Sequence, residues 1–92
     1  MALIIDSVKT LSIGTNATTE KAACRDFIIQ NNSADAVVYF KEKADDDAAA
    51  TASNGFALAA GKTTEHVFNA RELSLIASAA STDVRILYVR EA

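Results

Sequence analysis

The sequence predicts a small all-β domain, an antiparallel β-sandwich or jelly-roll-like fold spanning residues 1–92. Short runs rich in β-branched and aromatic residues recur along the chain, and clusters of Gly, Asn, Asp and Ser punctuate them at regular intervals. No stretch holds a helical period long enough to bridge parallel strands, which removes βαβ architectures. A third observation fixes the organising centre, residues 24–43, CRDFIIQNNSADAVVYFKEK. Here Phe27–Ile29 and Val37–Phe40 flank Asn31-Asn32-Ser33-Ala34-Asp35, residues that tolerate turns or bond their own backbone. That reads as a β-hairpin with a loop of about five residues. A lone hairpin is marginal in water, so the other runs must cover it.

Taken in order, residues 2–13, ALIIDSVKTLSI, mix alternation with a short apolar run. Ile4, Asp6, Val8 and Thr10 fall on one face of a strand, Leu3, Ile5, Ser7, Lys9 and Leu11 on the other. One strand is expected, with Lys9–Thr10 as the place for a break, and Gly14-Thr15-Asn16 ends it. Residues 17–23, ATTEKAA, fit either one turn of helix or an irregular approach to the hairpin. Residues 44–54, ADDDAAATASN, are acidic, Ala-rich and without a bulky side chain to bury. They read as a long surface loop whose ordering entropy nothing offsets, with a short helix through the alanines as the alternative.

Asn54-Gly55 is a turn signal, Phe56–Leu58 a short strand, Ala60-Gly61-Lys62 a turn and Thr63–Phe68 the next strand. Asn69–Glu72 turns again. Leu73–Ala77 and Val84–Val89 then read as a second hairpin, joined through residues 78–83. The main strands are thus expected near 24–30, 36–42, 64–68, 73–77 and 84–90.

Alternation also assigns faces. Val84, Ile86 and Tyr88 share one side of the last strand, Arg85, Leu87 and Val89 the other. Phe27 and Ile29 share a face, with Ile28 opposite. Phe40 is expected inward because it lacks a polar group, and Tyr39 outward because its hydroxyl reaches water. A sandwich's outer face should be polar, yet this assignment leaves Ile28, Val37, Tyr39, Leu87 and Val89 on it. These five residues are the candidate oligomer or docking interface.

Hydrophobic residues make up 50% of the chain, but many are alanine; aromatics are 7% and Trp is absent. The core is therefore thin, and self-association is an inexpensive way to deepen it. The net charge of -3, with no cluster of Lys or Arg, argues against direct nucleic-acid binding. Cys24 is the single cysteine, which excludes an internal disulfide and fits synthesis in a reducing cytoplasm. Met1–Ile5 is apolar, but Asp6 interrupts it and no basic stretch precedes it, so a signal peptide is not expected. No apolar run approaches the ~20 residues of a membrane span.

Few residues are placed to do chemistry. His66 is the single histidine, sits mid-strand in the expected layout, and has no nucleophile elbow to serve. Cys24 lies between an alanine and Arg25-Asp26, a neighbourhood with no net push toward thiolate. Asp45-Asp46-Asp47 fails the EF-hand pattern, because Ala50 stands at position six and Phe56 at position twelve. The expectation is no catalytic set, no cofactor and no metal site.

The order Arg25–Asn31, Asp35–Phe40, Gly55–Gly61 and Leu73–Val89 is similar to small structural proteins of tailed bacteriophage particles. Those are all-β proteins of about this size with an inward strand, an Asn-rich turn and an Ile-Ala-Ser hairpin. The resemblance implies a virion component, foremost a capsid decoration or cement protein. It implies partners as well: copies of itself, as a homotrimer at local threefold positions, and the major capsid protein of the shell. Head-fibre, neck and tail proteins share such folds. The other class of reading is a small carbohydrate- or ligand-binding β module, although two Tyr and no Trp offer few sugar platforms.

Overall fold

Burial follows the strand period closely in the computed structural model, which describes residues 2–21, 25–43 and 48–92. In β3 (Asp26–Asn31) the residues Phe27, Ile29 and Asn31 are buried; in β4 (Val38–Glu42) they are Val38 and Phe40. In β8 (Thr82–Glu91) the buried alternation runs Thr82, Val84, Ile86, Tyr88. Phe40 thus faces inward and Tyr39 outward, as its hydroxyl requires. The other strands are β1 (Leu3–Ile13), β2 (Thr18–Lys21), β5 (Phe56–Leu58), β6 (Phe68–Asn69) and β7 (Glu72–Ala77).

The strands form two antiparallel four-stranded sheets, ordered β1-β8-β3-β6 and β2-β7-β4-β5. This is the strand order of an eight-stranded jelly roll. Phe27, Ile29 and Ile86 from the first sheet meet Val38, Leu73 and Leu75 from the second in one core. Every connection crosses from sheet to sheet except that between β4 and β5, which pair with one another.

Both expected hairpins are therefore corrected. β3 pairs with β8 and β6, while β4 pairs with β7 and β5, so the Asn-rich segment carries the chain across the sandwich. Likewise β7 and β8 lie in different sheets. Each of these strands has one buried, mainly apolar face, and two such faces bury more by opposing one another across the core than by lying side by side. Four to six residues are enough to cover the ~10 Å between packed sheets.

Asn31 holds the first crossing together. It is fully buried, its Nδ2 donates to the carbonyls of Ala36 and Leu58 at 2.9 Å each, and its Oδ1 accepts from Ser33 N and Oγ. The second crossing passes through Ser81 at φ 55°, beside a bond from the Thr82 hydroxyl to Ala79 O. Asn32 N donates to Asp83 O and ties the two crossings side by side.

Other boundaries move for local reasons. β1 is one strand, and its irregularity falls between Ile5 and Ser7 rather than near Lys9–Thr10. Residues 18–21 form β2 against β7 instead of a helical turn, while Cys24 lies outside the described residues. Of residues 63–68 only Phe68 is in a strand: Thr63 makes an isolated bridge to Gln30, and Thr64 exchanges bonds with the Ile29 backbone. His66 consequently sits in an exposed bend, not mid-strand. Asp45-Asp46-Asp47 lie outside the described residues. The rest of that loop is not wholly superficial, because Ala50 is buried and its N–H donates to the buried Ser74 hydroxyl at 2.8 Å.

Candidate functional site

The five candidate residues do not form one surface. Ile28 and Leu87 are directly paired on the outer face of the first sheet, and Val8 of β1 pairs with Leu87 from the other side. This gives an apolar row, Val8–Leu87–Ile28, beside a polar row, Thr10–Arg85–Gln30. Val89 belongs to the same face but is only 8% exposed, so it offers little area to a partner. Val37 and Tyr39 belong to the second sheet, where Tyr39 stands between Ile76 and Ala57. Ile28, Val37, Tyr39 and Leu87 are each half-buried.

Apolar exposure is concentrated elsewhere. Among the described residues the large exposed hydrophobics are Leu3, Ile4, Ile5, Val8, Phe56 and Val67. Four sit on β1, an edge of the first sheet, and two beside β5 and β6 at the far edges of both sheets. The Lys9–Glu20 ion pair joins β1 to β2, and Phe56 meets Phe68 across β5 and β6, so these are opposite edges of one sandwich.

On β1 the irregularity at Asp6 decides which side chains point out. Ile5 pairs with Val89 and Ser7 with Tyr88, so Asp6 is the extra residue of a β-bulge. Ile5 and Val8 therefore share the outer face with Val89 and Leu87 despite their odd spacing. The charges here are neutralised within the chain. Asp6 accepts from Arg25 Nη2 at 2.6 Å and Arg90 Nε at 3.2 Å, and the Arg25 guanidinium lies 4.3 Å from the Tyr88 ring centre. The Glu20 carboxylate, by hydrogen bond and by charge, holds the Lys9 ammonium above its ordinary pKa.

The opposite edge is concave. Phe27, Phe40, Phe56 and Phe68 form a chain of tilted and edge-on ring contacts with centres 5.3–6.3 Å apart. They border a cavity of about 420 Å³ that Lys41, Glu42, Asn54 and Asn69 rim. Phe56 is 58% exposed at its mouth, and a second groove of about 320 Å³ continues past it toward Lys62, Glu65 and His66. Glycine at 55 lets this edge form: a Cβ there would stand 2.9 Å from Tyr39 Cβ and 3.1 Å from two backbone atoms.

Among the described residues no three His, Cys, Asp or Glu side chains gather to hold a metal ion. The arrangement suits burial of apolar area. Neither edge was among the candidate residues. The available signal was the run Leu3–Ile5, which places apolar residues on both faces of one strand; nothing local marked Phe56. Compared with protein-family models, with curated proteins and with solved structures, the chain matches none.

Proposed function

We propose that the chain is a non-enzymatic structural protein of a virus particle, a capsid decoration or cement protein on the head of a tailed bacteriophage. One observation carries the reading. Among the described residues the large exposed hydrophobics are confined to two opposite edges of a closely packed sandwich, as a protein that joins others into a lattice requires. The jelly roll supports it, being an architecture that capsid proteins use, as does the strand-and-turn layout of residues 24–90. The partners in this reading are copies of the chain, as a homotrimer on the shell, and the major capsid protein. The site of action is the virion after synthesis in the host cytoplasm.

Immunogold labelling of phage particles from cells that encode the chain tests it. Gold over heads is the expected result, and gold on necks or tails moves the protein to another virion position. Particles that carry neither gold nor the chain's peptides by mass spectrometry defeat the reading.

The aromatic cavity favours a second reading, a small-ligand or carbohydrate-binding β module, since its volume falls within the usual range of ligand pockets. Specific, saturable binding on a glycan array by a monomeric chain is the outcome that would select it.

A further inference from the structure

We propose that the chain associates with itself head to tail, the β1 edge of one copy lying along the β5/β6 edge of the next. The inference deepens the assembly reading and rests on it for the choice of a second copy as the partner.

Shape selects the pairing. β1 is a single extended strand of eleven residues at the margin of its sheet, paired among the described residues with β8 alone. The far edge is hollow, with Phe56 and Val67 on its lip and Phe27, Phe40 and Phe68 within. Two β1 edges set against each other leave both hollows open, and two hollows set against each other leave both β1 edges bare. A head-to-tail contact is the one arrangement that brings both sets of exposed hydrophobics, those of β1 and those beside β5 and β6, to the same seam. Such a contact is heterologous, so it repeats into a closed ring or, where the rotation does not close, a filament.

Backbone and charge are compatible with it. β5 forms the margin of the second sheet over Phe56–Leu58, so an incoming strand has a sheet edge to lie along there. Asp6 and Lys9, the charges in the middle of β1, are already bonded within their own copy and bring no unpaired charge into the contact. Size agrees as well. The slab measures 36 × 33 × 18 Å, so one edge presents roughly 600 Å² before side chains are added, near the ~800 Å² per partner of a standard interface.

Two charge substitutions and their mixture test the proposal. Ile5 and Phe56 are 55% and 58% exposed, so Ile5→Asp and Phe56→Asp should keep the far-UV spectrum of the parent. In sedimentation velocity at about 100 µM, where a Kd below ~10 µM fills most sites, the parent should run larger than a dimer. Each variant alone should run as a monomer. Mixed one to one, they should form a heterodimer and nothing larger, because each retains the edge the other has lost. A second pair, Leu3→Asp and Val67→Asp, is read in the same way if either first variant misfolds. A monomeric parent overturns the proposal, as does a mixture that stays monomeric. Continued association of Phe56→Asp overturns it in favour of an isologous β1–β1 dimer. Each of these failures leaves the virion reading to the labelling of particles.

Discussion

Asn31 shows how much one polar residue can specify in a thin core. Its amide closes two carbonyls from different segments, those of Ala36 and Leu58, and accepts twice from Ser33. In the sequence it reads as the first residue of a turn; in the fold it is a buried strand end from which the chain leaves for the opposite sheet. Asn31→Ala takes a buried donor from both carbonyls and leaves the Ala36 carbonyl only the Ser33 hydroxyl, at a cost of about 2–4 kcal/mol. The melting temperature should fall by more than about 10 °C. Asn31→Asp, of equal volume, should do no better, because its oxygens oppose the same carbonyls. Differential scanning calorimetry of the two variants decides it; recovery of the parent's melting temperature by Asn31→Asp would show that shape, not hydrogen bonding, matters here. The glycines give a paired test. A Cβ at Gly55 meets backbone at 3.1 Å, whereas at Gly14 it meets nothing within 4 Å. Gly55→Ala should cost about 1–3 kcal/mol by overpacking and Gly14→Ala next to nothing, read as urea midpoints.

At the scale of elements, the strands were legible and their pairing was not. Period-two alternation alone puts Phe27, Ile29, Val84, Ile86 and Tyr88 inward, where the structure has them, because side chains alternate on any pleated strand. Whether a turn folds a strand back beside its neighbour or carries it to the facing sheet depends on what the rest of the chain offers to pair with. Asn32–Val37 and Ser78–Ser81 are composed like hairpin loops and serve as crossings. β2 escapes the sequence, and the strand expected over 63–68 shrinks to β6, for a related reason: at four and two residues they are too short to show a period. The face assignment of β1 goes astray at the bulge. Asp6 shifts the alternation of β1 by one, so Ile5 joins Val8 on the outer face, and period-two counting separated them. Deleting Asp6 should leave the pairings Ile5–Val89 and Ser7–Tyr88 in place and make the edge flat and regular. Bulges and charges blunt such edges, so the deletion variant should stay folded but gain light scattering and thioflavin T fluorescence over days relative to the parent. No gain in either signal would show that the bulge does not guard the edge.

At the scale of the molecule, folding and association draw on the same apolar surface. A chain of 92 residues without Trp has a small core, and Leu3, Ile4, Ile5, Val8, Phe56 and Val67 contribute little to it. If a neighbouring copy covers those residues, the folded state is bound and the unfolded state is not, so association adds to stability by mass action. At a concentration ~100 times the Kd the addition is about 2.7 kcal/mol. For a domain of this size that corresponds to a rise of about 10–20 °C in melting temperature. The parent's melting temperature should therefore climb with concentration, from a dilute limit set by the monomer. Phe56→Asp should melt at a temperature that does not change with concentration, at or below that dilute limit, since it removes the contact between copies and also the Phe56 ring's packing on Phe40 and Phe68. A parent whose melting temperature is flat from about 1 to 300 µM has no coupled association with a Kd in that range. The apolar edges would then remain uncovered between copies, and the virion shell would be left as their partner under the proposed function.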